Sequence, residues 1–102
     1  MGIPQWTTPT FALTFSHPDV NLLAARNVYV TFCSGNSKIT KTGNELTLEE
    51  KSIGVYLTQD ETSKFSDSVR IQVNWTTAGG ERYASDIVSC TITEQLLRKE
   101  IV

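Results

Sequence analysis

The clearest pattern along the chain is a strict alternation of apolar and polar residues over positions 69–76. The apolar members are Val69, Ile71, Val73 and Trp75, and the polar members are Arg70, Gln72, Asn74 and Thr76. A period of two is typical of a β-strand with one buried face and one solvated face. A glycine pair at positions 79 and 80 and a second apolar stretch follow, so the sequence predicts an antiparallel hairpin over residues 69–93.

The second strand of this hairpin is predicted over 83–93. Its neighbouring apolar residues Ile87 and Val88 break the alternation, which predicts a bulge near Ser85 and Asp86. The glycine pair at 79 and 80 is not followed by the helix and lysine of a phosphate-binding loop. We therefore expect it to form the hairpin turn, with a glycine at positive φ.

Shorter strands with frequent turn residues between them fill the rest of the chain. They are predicted over 7–15, 27–33, 38–41, 45–48 and 52–57, with a loop or single helical turn over 20–25 that buries Leu22 or Leu23. Thr58 and Glu61 have the spacing of a capping box, so a helix of one or two turns is expected to run from there to Phe65. This order of elements predicts an all-β, immunoglobulin-like antiparallel β-sandwich.

The length of 102 residues favours one domain over the whole chain. Glycine and proline near the start predict a flexible arm over residues 1–6. At the other end, Leu97 and Ile101 are spaced as on one helix face, so 94–102 is predicted to be a short helix or an arm.

Five residues are candidates for contacts with a partner. An exposed tryptophan is unfavourable unless another group covers it, so Trp6 is either a cap on the core or an anchor between subunits. Edge strands can pair with another chain, and the two ends can reach one. The full set of interface candidates is Trp6, Pro9, Ile39, Leu97 and Ile101.

The two cysteines are predicted to be free thiols. Cys33 is expected to point outward, because Val28, Val30 and Phe32 mark the buried face of its strand. Cys90 shares a face with Val88 and Ile92 and should point inward. Side chains on opposite faces cannot form a disulfide without backbone movement.

No catalytic or metal-binding set is evident in the sequence. The chain has one histidine, His17, which lies in a proline-containing turn without a nucleophile motif. One histidine and two oppositely directed cysteines cannot complete a tetrahedral zinc site, and the neighbouring carboxylates at 49–50 and 60–61 are expected to be solvated loop charges. We therefore predict a non-enzymatic protein without metal or cofactor. A deep polar pocket that gathers Asp86, Glu81 and His17 would change this prediction.

Charge and hydropathy exclude two classes of partner. Nine basic and eleven acidic residues are mixed along the chain, without the basic patch that a nucleic acid requires. No run approaches the roughly 18 apolar residues of a membrane-spanning helix. The first residues lack the basic and apolar regions of a signal peptide, which predicts synthesis in the cytoplasm.

Several stretches resemble small prophage-encoded proteins of Firmicutes, which are loosely similar to the immunoglobulin-like N-terminal domain of phage baseplate upper proteins. The resemblance is carried by residues 3–11, 25–32, 39–43, 55–62 and 69–75, together with 84–87. It implies a structural protein of a virion, in a tail or baseplate, that acts through contacts with other phage proteins or with itself.

Two functions are consistent with these observations. The first is a non-enzymatic tail or baseplate assembly module, made in the bacterial cytoplasm and incorporated into a virion. The second is a carbohydrate-binding or host-adhesion module, in which Tyr29, Tyr56, Trp75 or Tyr83 stacks on a sugar. For Trp75 the other role is in the core, where it continues the buried face of its strand.

Overall fold

The computed structural model describes residues 2–15 and 20–93, which form two β-sheets packed face to face. The strands are β1 (Gly2–Pro4), β2 (Thr10–Thr14), β3 (Ala25–Ser34), β4 (Ser37–Thr42), β5 (Leu46–Leu48), β6 (Ser52–Tyr56), β7 (Ser68–Thr77), β8 (Arg82–Ala84) and β9 (Val88–Thr93). One α-helix, α1 (Gln59–Ser63), and two 3-10 turns (Leu22–Ala24 and Gly43–Glu45) connect them within this part of the chain.

The strand order is that of an immunoglobulin-like sandwich. The larger sheet runs β1-β9-β7-β3-β4, with β8 also paired to β7, and the smaller sheet runs β2-β6-β5. All pairs are antiparallel except β1 with β9. In the immunoglobulin plan the second, fourth and fifth standard strands (B, D and E) share one sheet, and C, F and G form the other. The smaller sheet here corresponds to strands B, D and E, and the larger sheet corresponds to strands C, F and G. The predicted fold class is therefore confirmed.

The core lies between the sheets and is built around phenylalanine rings. Phe32 on β3 is fully buried. It meets Phe11 of β2 edge to face, with ring centroids 6.1 Å apart, and stacks on Phe65 at 6.2 Å. Immunoglobulin domains of antibodies place a tryptophan and an inter-sheet disulfide at the centre of the sandwich. Here aromatic packing links the sheets instead.

The hairpin prediction is confirmed for the first strand and its turn. Val69, Ile71 and Val73 are buried on β7, and Trp75 packs partly buried against the same core. Gly80 closes the turn with φ of 87°, a conformation that glycine adopts without a steric penalty.

The second strand differs from the prediction, because it is split into β8 and β9. Ala84 pairs with Asn74 and Val88 pairs with Ile71, so three residues (85–87) face two residues (72–73) of β7. The extra residue is the predicted bulge. Ser85 fills it: its backbone N–H donates to the Val73 carbonyl (2.8 Å), and its Oγ accepts from the Val73 N–H (2.9 Å). Val88, expected on the buried face, is 48% exposed at this interruption.

The predicted flexible arm over residues 1–6 contains strand β1 instead. Ile3 pairs with Ile92 of β9 and is 2% exposed, and the Gln5 side-chain amide donates to the Phe65 carbonyl. Glycine and proline suggested that this segment would be too costly in conformational entropy to order. The burial of Ile3 and the hydrogen bonds of β1 to β9 offset that cost. Residues 94–102, for which we predicted a helix or an arm, lie outside the described residues.

The 3-10 turn before β3 decides which of two leucines is buried. Leu22 is fully buried, whereas Leu23 is 65% exposed. The Leu22 backbone N–H donates to the Glu50 carbonyl (2.8 Å), which attaches this turn to the loop between β5 and β6. The turn therefore closes one end of the sandwich.

Helix α1 begins with the predicted capping box. The Thr58 hydroxyl accepts from the Glu61 N–H (3.2 Å), and the Glu61 carboxylate accepts from the Thr58 N–H (2.9 Å). The helix ends at Ser63, short of the predicted Phe65. The sequence pattern did not indicate that Thr62 would be fully buried, with its hydroxyl 2.8 Å from the Thr7 carbonyl.

We expect Thr62→Val to lower the free energy of unfolding by about 1–2 kcal/mol, because the fully buried Thr62 loses its part-buried hydrogen bond to the Thr7 carbonyl. Valine has nearly the same shape, so the loss reports the hydrogen bond and not a cavity. Urea unfolding measures it. The control is the exposed Thr47→Val on β5, whose effect should stay within about 0.5 kcal/mol. Equal stability of the Thr62 variant and the wild type would contradict this role.

The cysteine orientations agree with the prediction. Cys33 pairs with Arg70 of β7, and Cys90 pairs with Val69, the residue before it. Adjacent residues of a strand point to opposite faces, so the two thiols lie on opposite faces of the larger sheet. Cys90 is buried and Cys33 is partly exposed; both are free.

Alkylation of the native protein with iodoacetamide should therefore modify Cys33 rapidly, whereas modification of Cys90 awaits denaturation. Mass spectrometry would show one adduct in buffer and two in urea. A native mass two hydrogens lower than the sequence mass, unchanged by iodoacetamide, would instead indicate a disulfide.

Candidate functional site

The structure describes three of the five predicted interface residues. Trp6 is partly buried and has a φ of 61°, an uncommon conformation for a residue with a large side chain. The Pro9 carbonyl accepts from the Leu57 N–H (3.1 Å) just before β2, at an edge of the smaller sheet. Ile39 lies on edge strand β4 and packs against the core. Leu97 and Ile101 lie outside the described residues.

The edge strand β4 carries a buried charge. Lys41 points inward beside Ile39 and is 8% exposed, and its Nζ lies 2.6 Å from Oε2 and 2.8 Å from Oε1 of Glu61. Inward-pointing charges on edge strands disfavour pairing with another chain, because a partner strand would cover a charge that is tied to its own domain. This ion pair is absent from the sequence-based predictions.

The pKa of Glu61 is lowered by this arrangement. Burial alone would raise the pKa of the carboxyl, but the hydrogen bond and charge of Lys41 and the hydrogen bonds from Thr58 outweigh it. A carboxyl held ionised in this way is a poor proton donor at neutral pH. The neighbouring Asp60 is exposed and pairs with Lys64 (3.1 Å), but it lies on α1 and not in a loop. The prediction of solvated loop charges at 60–61 is wrong for Glu61, whose side chain is 19% exposed and paired with Lys41.

No three His, Cys, Asp or Glu side chains converge on a potential metal position within residues 2–15 and 20–93. His17 lies outside these residues. None of the helices that the structure describes is long and apolar enough to cross a membrane.

The outer face of the larger sheet is a solvated surface built from five strands. Residues that pair across strands share a face, so the register assigns it Lys38, Thr40 and Thr42 of β4, Tyr29, Thr31 and Cys33 of β3, Arg70, Gln72, Asn74 and Thr76 of β7, Arg82 and Ala84 of β8, and Ser89 and Thr91 of β9. We call this set the basic face.

The basic face holds cations without carboxylates. No Asp or Glu occupies any of its positions, and within the described residues none of Lys38, Arg70 and Arg82 forms an ion pair with a carboxylate. Arg82 Nη2 donates to Asn74 Oδ1 (3.3 Å), and Arg70 Nη2 lies 3.7 Å from Cys33 Sγ. Tyr29, 40% exposed, lies in the middle of the face among hydroxyl side chains.

The outer face of the smaller sheet differs in charge. Its residues, assigned by the register, are Thr10, Ala12, Thr14, Thr47, Ser52, Gly54 and Tyr56. None of them is charged, and only Tyr56 is large. The two outer faces therefore differ in electrostatics although both are exposed.

A groove of about 850 Å³ opens at one end of the sandwich, beside the β7–β8 turn. Trp75 and Tyr83, paired across β7 and β8, stack with ring centroids 5.9 Å apart and form its aromatic part. Phe15 meets Trp75 edge to face at 5.6 Å. We call this the aromatic groove.

The polar groups of the aromatic groove come from the turn and the bulge. Among its described lining residues only Glu81 and Asp86 are charged, and Asn21 adds an amide. The Tyr83 hydroxyl donates to Glu81 Oε2 (3.2 Å). We named a deep polar pocket with Asp86, Glu81 and His17 as a reason to change the non-enzymatic prediction. Glu81 and Asp86 line this open groove, and His17 lies outside the described residues.

The four aromatic residues that we named as alternative sugar contacts lie on different surfaces. Tyr29 is on the basic face and Tyr56 is on the outer face of the smaller sheet. Only Trp75 and Tyr83 come together. Trp75 packs against the core, which is one of the two roles we considered, and it also lines the groove. The other role, stacking on a sugar, stays a prediction.

Comparison with known protein families finds none that matches this chain, and comparison with curated proteins finds no significant similarity. The fold and its surfaces are therefore the basis for a functional proposal.

Proposed function

We propose that this chain is a non-enzymatic assembly module that acts through protein–protein contacts, with the basic face as its principal contact surface. The proposal rests on the composition of that face, which has a central exposed tyrosine, two arginines and no carboxylate at any position. Tyrosine and arginine are enriched in protein interfaces, whereas Asp and Glu are depleted.

The charge of the basic face selects the kind of partner. Three cations without acidic neighbours favour an acidic protein surface, which would neutralise them and accelerate encounter. Two copies of the chain would repel each other if they met through this face alone. Contacts between copies, if they occur in the assembly, would use other surfaces.

The resemblance to phage baseplate upper proteins extends the proposal to a tail or baseplate of a phage or prophage. A sandwich with a solvated sheet face suits such a role, since assembly requires fixed geometry and not a moving active site. The partner would then be another structural protein of the same particle.

Co-expression with the tail and baseplate proteins encoded beside this gene tests the proposal, with complex mass measured by light scattering. We expect a complex with at least one of them, and Arg70→Glu should weaken it roughly tenfold or more through like-charge contact. Lys64→Glu, just after α1, is the matched control: it reverses an exposed cation away from the basic face and should leave affinity nearly unchanged. A strict monomer with every such protein, or equal losses in both variants, would contradict the proposal.

A further inference from the structure

We infer that the aromatic groove binds a cationic group, an ammonium or a guanidinium, against the ring of Tyr83 and between the carboxylates of Glu81 and Asp86. The site is separate from the basic face, because its two aromatic residues, Trp75 and Tyr83, face the other side of β7 and β8.

The first step is the geometry of the two rings. Tyr83 pairs directly with Trp75, so both side chains project from the same side of the sheet. Trp75 is held by Phe15 on its edge and is stacked against Tyr83. Tyr83 remains 46% exposed. A tyrosine backed by a fixed tryptophan is a rigid platform that loses little entropy when a ligand settles on it.

The second step is the position of the carboxylates. Glu81 is fixed at the end of the turn, where its carbonyl accepts from the Thr77 N–H (2.9 Å) and its backbone N–H donates to the Thr77 hydroxyl (3.2 Å). The bulge brings Asp86 to the same groove, and bulges commonly redirect a side chain in this way. Thus two separate backbone irregularities place acidic residues in the lining of the groove that holds Tyr83.

The third step is the charge of the ligand. The described lining residues include no lysine or arginine, so an anion would find two negative charges and no positive one. A cation gains from both carboxylates and from the negative face of the tyrosine ring. A neutral sugar could stack on Tyr83, but it would leave the two charges without a counter-ion. The electrostatics therefore favour an ammonium or guanidinium over a saccharide.

The experiment uses the full chain with Trp6→Phe, so that tryptophan fluorescence reports on Trp75. Choline chloride is titrated against its uncharged isostere 3,3-dimethyl-1-butanol, and a blocked Ala-Arg-Ala peptide tests whether a protein side chain can supply the cation. We expect saturable fluorescence changes with choline, with the peptide, or with both, and a much weaker response to the isostere. Saturation by choline alone indicates a small free ligand, and tighter binding of the peptide indicates a protein source.

Variants distinguish the groove from non-specific charge effects. Tyr83→Leu should weaken binding about two- to fivefold, as expected for loss of an exposed cation–π contact, whereas Tyr83→Phe should retain most of it. Asp86→Asn should also weaken binding, and Asp60→Asn on α1 is its matched control. If Tyr83→Leu alters the circular dichroism spectrum, Asp86→Asn alone decides. Equal binding of the uncharged isostere, saturation by N-acetylglucosamine but by neither cation, or no saturation with any probe would overturn the inference.

Discussion

Phe32→Ala should lower the free energy of unfolding by about 3–5 kcal/mol, the largest effect expected from a single substitution in this chain. Phe32 is fully buried at the centre of the sandwich and contacts Phe11 of the smaller sheet and Phe65 beyond α1. Truncation would leave a cavity between the two sheets. It would also remove two aromatic contacts, in addition to the loss of buried apolar area. Urea denaturation monitored by circular dichroism measures the loss.

Its neighbour on the same strand supplies the control. Thr31 lies on the opposite face of β3, so Thr31→Ala should change stability by no more than about 0.5 kcal/mol. Phe32→Leu keeps most of the apolar volume and should fall between the two. A Phe32→Ala variant as stable as the Thr31 variant would mean that the sheets are held together by something other than the aromatic core.

Alternation was sufficient to predict the sandwich, and β7 shows why. Its buried side chains follow a period of two without interruption, and this pattern depends only on the pleat of the strand. The bulge was also predictable, because two adjacent apolar residues cannot both face the core. The splitting of the second strand was not, since it depends on how Ser85 bonds to Val73 across the gap.

Long-range pairing set the limit of prediction at the N-terminus. Gly2–Pro4 has the composition of an arm, and only its proximity to β9 makes a strand of it. The same holds for Lys41 and Glu61, which are twenty positions apart and carry no local signal of their contact. Periodicity reports which face a residue takes, but it does not report which distant residue lies opposite.

The candidate surfaces follow the same rule. Apart from Tyr29, Cys33 and Ala84, the positions of the basic face are polar, so the exposure of most of them was predictable from the sequence. Its lack of carboxylates became visible only when the register aligned five strands side by side. The aromatic groove likewise required the pairing of Trp75 with Tyr83, whereas the sequence offered four aromatic residues as alternatives without indicating which of them come together.

Glu61→Gln should lower the free energy of unfolding by about 2–3 kcal/mol at neutral pH, between the cost of breaking an exposed pair and that of breaking a fully buried one. The Glu61 side chain is 19% exposed and that of Lys41 is 10% exposed, so the ammonium is left nearly buried with Glu45 at 3.8 Å as its remaining charged neighbour. Lys41→Met should also destabilise the fold. The double variant should lose at least about 1 kcal/mol less than the sum of the single losses, because it leaves no unpaired charge.

The pH dependence provides a second test of this pair. Because the pKa of Glu61 is lowered by folding from its ordinary value of 4.5, the ionised carboxylate stabilises the fold fully above that value. The contribution is lost as the pH falls through the lowered pKa, where the folded protein takes up the proton. The stability difference between wild type and Glu61→Gln, measured by urea unfolding, should therefore be constant near neutrality and shrink in acid. A difference that stays the same down to pH values well below 4.5, or additive single losses in the double variant, would show that Lys41 and Glu61 do not act as a pair.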